Sequence, residues 1–183
     1  MPIALRKLWL LGLALLLLKA QALSPGRYRI LQGEVTYRAA TALSAWSGRN
    51  ESLSGSFVFI QGGKLEGQLC LDLRAWDSGN PLRDAHTRRM FEVERYPLAC
   101  FFPTRARLND QKVALEGQLE LHGKKGPWGL DGEILDESQS RVLLRLIGQV
   151  SLKAWGLKPP SFLGLDVQDF VQVSVTVLIG ITK

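Results

Sequence analysis

The chain has 183 residues, with 23 Lys and Arg against 17 Asp and Glu, two His and two Cys, a formal net charge of +6. Three of the basic residues fall within the first 22, so the remainder carries 20 basic and 17 acidic side chains, a net of +3. A charge this small, without an interleaved basic and aromatic stripe, gives no reason to expect a nucleic-acid partner.

The chain opens with a leader. Arg6 and Lys7 precede an apolar run, Leu8–Leu18, and Ala20-Gln21-Ala22 has the small-x-small form of a cleavage site. This order is that of a secretory signal peptide. The run has 11 residues, against roughly 20 for a membrane-spanning helix. We therefore expect residues 1–22 to be a signal peptide, residues 23–183 to be one domain, and the location to be periplasmic or secreted. No cysteine precedes Cys70, so an acylated N-terminal cysteine is not expected.

From there on, period two dominates. Strict alternation of apolar and polar residues marks strands with one buried face. Strands are predicted over Arg27–Leu31, Glu34–Ala40, Leu53–Gln61, Leu65–Ala75, Leu98–Leu108, Lys112–His122, Trp128–Leu135, Leu144–Leu152 and Val171–Ile179. Gly62-Gly63 and Asn109-Asp110 read as tight turns, and Asp136–Ser140 as a polar loop. The only plausible helical turns lie within Pro81–Glu94. Evenly spaced strands of one period define an all-β antiparallel barrel or sandwich. A closed barrel removes the sheet edges that recruit other chains.

Parity assigns an inward face. Leu71, Leu119, Leu146 and Val173 lie on it, as does Phe101, with Tyr37, Phe57, Phe59, Trp155 and Phe170 on or beside strands. These side chains either meet in a filled core or line an apolar tunnel. The inward Gly117 and Gly148 either leave space or relieve a bend. Trp46, Trp76 and Trp128 fall near strand ends, where they edge an opening or stand as ordinary exposed aromatics.

Chemistry-bearing residues are few. His86 and His122 lack metal-ligand spacing, so no metal site is expected. No G-x-S-x-G is present and neither cysteine has a histidine nearby in sequence, so no catalytic residue is assigned. His86 is expected to fix the polar segment and His122 to bond its own turn. Arg83 and Asp84 either meet a ligand's head group or pin the long connection to the barrel. Cys70 and Cys100 are compatible with a cross-strand disulfide in an exported protein, the alternative being two unpaired thiols.

Two segments carry a family resemblance. Ser78-Gly79-Asn80, Arg83-Asp84, His86, Phe91, Tyr96-Pro97 and Phe101 are followed by Leu119, Leu121-His122-Gly123 and Pro127. In order and spacing they resemble the YceI-like family, whose pattern is T/S-G-N-x-x-R-D-x-H, then F…Y-P-x-x-x-F, then L-x-I-H-G-x-x-K-P. The resemblance implies an eight-stranded antiparallel lipocalin-like barrel with a short helical segment in its long connection. It implies no cofactor, but a polyisoprenoid or isoprenoid quinone held inside a non-enzymatic carrier, with a membrane surface or quinone-using membrane protein as partner. Tyr37, Phe57, Phe59, Leu71, Phe101, Leu119, Leu146 and Val173 would then line the barrel, with Arg83, Asp84 and His86 at its mouth. Gly126 stands where the family usually has lysine, and Arg29–Ala40 lacks the histidines of the family's first hairpin. A filled barrel acting on a membrane electron-transfer partner is the competing expectation.

Overall fold

The computed structural model of the chain describes residues 23–162 and 164–182, and the expected signal peptide lies outside them. The described residues form eleven strands: β1 (Gly26–Ala40), β2 (Ala45–Asn50), β3 (Ser54–Ile60), β4 (Lys64–Asp72), β5 (Leu98–Asn109), β6 (Lys112–Leu121), β7 (Lys124–Glu137), β8 (Arg141–Ser151), β9 (Ser161–Phe162), β10 (Leu165–Asp166) and β11 (Phe170–Thr182). One α-helix, α1 (Pro81–Phe91), lies between β4 and β5, after a short 3-10 turn at Leu73–Ala75.

Neighbouring strands pair antiparallel in the order β11-β8-β7-β6-β5-β4-β3-β1, and β11 also pairs with β1. That second pairing closes the sheet into an eight-stranded barrel. β2 and β3 share one edge of β1: Gly26–Arg29 pair with β3, while Val35–Ala40 pair with β2. The small β9–β10 hairpin stands apart from the barrel sheet.

β1 runs unbroken where the sequence suggested two strands. The register shifts between Ile30 and Gln32, so Leu31 is a bulge residue. A bulge adds one residue and swaps the face of everything after it, which is why the alternation breaks there without the strand ending.

β2 is the strand of the barrel sheet that periodicity missed, as it also missed the short β9 and β10. Its Ser47-Gly48-Arg49-Asn50 reads as a turn, yet Gly48 and Asn50 both point inward. Gly48 faces Tyr37, whose ring an added Cβ would overlap. Asn50 is 1 % exposed, and both polar atoms of its side chain are bonded. Its Nδ2 donates to Asp72 O at 2.7 Å, and its Oδ1 accepts from Ser52 N–H and Ser52 Oγ at 2.9 and 2.6 Å. A buried amide with its bonds made costs little, and this one holds the corner between β2 and β3.

Helix α1 forms where the sequence places helical turns, and its ends explain why. Asn80 Oδ1 accepts from Leu82 N–H and Arg83 N–H, both at 3.1 Å, and Pro81 opens the first turn. Asn at the N-cap followed by Pro is a strong start signal. Glu92 ends the helix with φ 49°, a left-handed C-terminal position.

The barrel has two unlike ends. At the far end the connections are short: Gln61–Gly63, Asp110-Gln111 and Ser138–Ser140. At the other end, which we call the mouth, lie the β1–β2 turn (Thr41–Ser44), the α1 connection, the two-residue β6–β7 turn (His122-Gly123) and residues 152–169.

Candidate functional site

The inward side chains enclose a hollow. It has a volume of about 450 Å³ and is lined by residues from all eight barrel strands, α1 and the β9–β10 hairpin. Lining residues on β11 extend from Val171 to Ile179. Eight residue steps correspond to about 27 Å of strand, or roughly 20 Å along the axis at the usual strand tilt. Tyr37, Phe57, Phe59, Leu71, Phe101, Leu119, Leu146 and Val173 all line it.

Three tryptophans assigned to strand ends also line the hollow: Trp46, Trp76 and Trp128. Trp128 shares the parity of Leu130 and Ile134, a signal the sequence already carried. Its ring meets Phe101 edge-on with centroids 5.6 Å apart, and its Nε1 donates to Gln149 O at 2.8 Å. That bond spans the barrel wall where it needs support, because β7 pairs with β8 only from Asp131 onward.

These rings also account for the inward glycines, which are not among the lining residues. A Cβ on Gly117 would meet Phe101 Cε2 at 2.8 Å, and one on Gly148 would meet Leu130 Cδ2 at 2.7 Å and Trp128 Cζ2 at 3.0 Å. The glycines neither widen the cavity nor simply relieve a bend. They make room for large side chains that form its wall.

Two aromatics stand elsewhere than expected. Phe170 is 59 % exposed, because inward Val171 and Val173 turn it outward. Trp155 is buried in the turn after β8 but does not line the hollow.

Polar lining is confined to the mouth. Thr41 and Ser44 come from the β1–β2 turn, Asn80, Arg83, His86 and Thr87 from α1 and its cap, and Ser161 from β9. Arg83 lies over the Trp46 ring, 5.4 Å from its centroid, a cation–π placement. Below it, Tyr37 meets Trp76 edge-on at 5.0 Å. The Tyr37 hydroxyl is buried beside Thr87 without a partner at hydrogen-bonding geometry, as is Trp76 Nε1. Burial holds the Tyr37 phenol above its ordinary pKa.

Asp84 separates from Arg83 and His86. It is 7 % exposed, does not line the hollow, and accepts from Ser78 N–H at 3.0 Å. Its visible work is to hold the approach to α1. His122 reaches past its own turn instead of bonding it. Its Nε2 lies 2.5 Å from Glu92 Oε2, and its ring meets Tyr96 at 4.7 Å. The β6–β7 turn thereby pins the end of α1.

Cys70 and Cys100 form a disulfide between directly opposed residues of β4 and β5, with Cα atoms 4.2 Å apart. The bond closes the loop that carries α1. Among the described residues no group of three or more His, Cys, Asp or Glu converges on a metal-sized site.

A closed antiparallel barrel around a long apolar hollow, polar at one end only, is a lipocalin-like ligand-binding architecture. Residues 28–179 match the YceI-like domain family, and the chain belongs to it. A curated relative, UPF0312 protein plu2095 of Photorhabdus laumondii, is 27 % identical over 165 residues, covering 81 % of this chain and 86 % of the relative. Among solved structures, a polyisoprenoid-binding domain from Saccharophagus degradans superposes with a TM-score of 0.68 at 18 % identity, over 85 % of this chain and 98 % of that one. BcnA of Burkholderia cenocepacia gives 0.69 at 15 % identity, over 80 % and 95 %.

Proposed function

We propose that this protein is an exported, non-enzymatic binder of a polyisoprenoid lipid, such as an isoprenoid quinone, which it sequesters or carries in the periplasm or outside the cell. The observation that carries the reading is the hollow itself: about 450 Å³, apolar along the barrel and polar only at the mouth. Drug-sized ligand sites commonly fall at roughly 300–1,000 Å³. The description of the Saccharophagus degradans neighbour as polyisoprenoid-binding supports the same reading.

The chemistry follows from the lining. A branched prenyl chain gains roughly 25 cal/mol for each Å² of apolar surface removed from water, less the cost of ordering the chain. Aromatic walls at Phe57, Phe59, Phe101 and Trp128 supply that surface. The head group stays at the mouth, where Arg83, His86, Asn80 and Thr87 present polar atoms. A membrane, or a quinone-using protein within it, supplies or receives the lipid.

The test is organic extraction of protein purified from its natural host, followed by mass spectrometry. The expected result is a prenyl lipid in stoichiometric amount. A protein that arrives empty and also refuses added prenyl alcohols and quinones contradicts the proposal.

A further inference from the structure

The mouth carries apolar side chains that the fold does not use. The β1–β2 turn is fixed from within: Thr41 N–H donates to Ser44 O at 2.8 Å, and Thr41 Oγ1 accepts from Leu43 N–H and Ser44 N–H at 3.3 and 3.2 Å. That rigid turn holds Leu43 81 % exposed. Leu82, in the first turn of α1, is 62 % exposed, although part of it borders the hollow. A single exposed leucine is ordinary. Here two stand at the one end of an apolar cavity where its polar lining gathers, beside Thr41, Ser44 and Arg83.

Charge on α1 adds a second, independent observation. The helix carries Arg83, Arg88 and Arg89, and its one carboxylate, Asp84, is buried and turned to Ser78. Among the described residues, none of the three arginines has a carboxylate within 4.0 Å. Leu82 and Arg89 are seven residues apart, two helical turns, and so share a stripe. The exposed face of α1 thus combines leucine with unpaired arginine.

We propose that the mouth docks on an anionic lipid bilayer, with Leu43 and Leu82 entering the interface and the exposed Arg89 against lipid phosphates. Cationic side chains with apolar neighbours suit that boundary. Docking sets the hollow against the hydrocarbon, so a prenyl chain passes between them without crossing water. This rests on the reading of the hollow as a prenyl-lipid site.

The test uses residues 23–183 and flotation with phosphatidylcholine vesicles, with and without phosphatidylglycerol. Binding is expected only with phosphatidylglycerol, and it weakens as salt is raised. Arg89→Gln weakens it about fivefold, Arg88→Gln weakens it less, and Leu43→Glu weakens it as well. Because none of these three residues lines the hollow, affinity for a short prenyl alcohol in solution stays unchanged in all three variants. A wild-type chain that ignores anionic vesicles while still binding prenyl alcohol overturns the docking face alone. So does a Leu43→Glu variant that floats as well as wild type, the result expected if the rim instead meets a protein. A chain that floats but binds no prenyl alcohol keeps the docking face and removes the cavity reading.

Discussion

The two ends of the barrel are made from the same strands and behave as different materials. At the far end, tight hairpins leave no chain to spare, and side chains close the barrel. Tyr28 stacks on Phe57 with centroids 5.6 Å apart and bonds Ser24 O at 2.8 Å, while Leu23 and Ile179 are buried beside them. At the mouth, long connections bring a helix, a hairpin and polar side chains over the opening. The two long connections, both at the mouth, make that end the one able to admit a ligand. A two-residue turn cannot place a polar group over a cavity, whereas the 25 residues between β4 and β5, with a helix among them, can.

Substitutions are expected to separate the ends by size of effect. Phe57→Ala at the closed end removes a buried ring and its stacking partner, so it should cost about 3–5 kcal/mol of stability, read as a lower midpoint in denaturant. A fall of under 1 kcal/mol would mean that the far end is not packed as described. Next comes the disulfide at the root of the mouth loop. Replacing Cys70 and Cys100 by Ser frees a loop with a sequence separation of 30, and the chain-entropy relation gives about 3–4 kcal/mol. The same change should speed release of a bound prenyl lipid, because the loop carries Trp76, Arg83, His86 and Met90 of the lining. Unchanged release would uncouple loop anchoring from ligand retention.

Smaller effects belong to the mouth itself. Asn80→Ala removes the N-cap of α1 and should cost about 1 kcal/mol, with ligand release changing more than the unfolding midpoint. The smallest effect is in acid. Lys153 N–H at 2.8 Å, then Ser151 Oγ at 2.7 Å, hold the Asp169 carboxyl below the usual carboxylate range. A depressed folded-state pKa means that this support is present above the unfolded value, about 3.9, and is lost as pH falls through the folded value. Hydrogen exchange around residues 152–169 should therefore loosen below about pH 4 in wild type, and this step should be absent in Asp169→Asn.

Most of the wall was legible in the sequence, because parity is a local property. Leu119 and Leu121 on β6, or Val171 to Ile179 on β11, announce their face by alternation alone. The mouth was less so. Arg83 and His86 were placed there by motif, but Asp84 differs from Arg83 only in helical angle, which no spacing of strands reveals. Trp46 went unrecognised as lining because its strand reads as a turn: Gly48 and Asn50 occupy the inward positions for reasons that lie across space, in Tyr37 and in Asp72 O. The bulge at Leu31 hid the continuity of β1 in the same way. Sequence left Gly117 and Gly148 between leaving space and relieving a bend, because the Phe101 and Trp128 rings that pack against them come from other strands.

The central claim is that the length of the hollow, rather than its polar rim, supplies most of the affinity. Calorimetric titration with prenyl alcohols of increasing chain length tests this most directly. Affinity should rise with each added isoprene unit until the roughly 20 Å of axial length is filled, with a progressively more negative heat-capacity change, and then level off. Equal affinities across the series, or binding of the shortest alcohol alone, would contradict it.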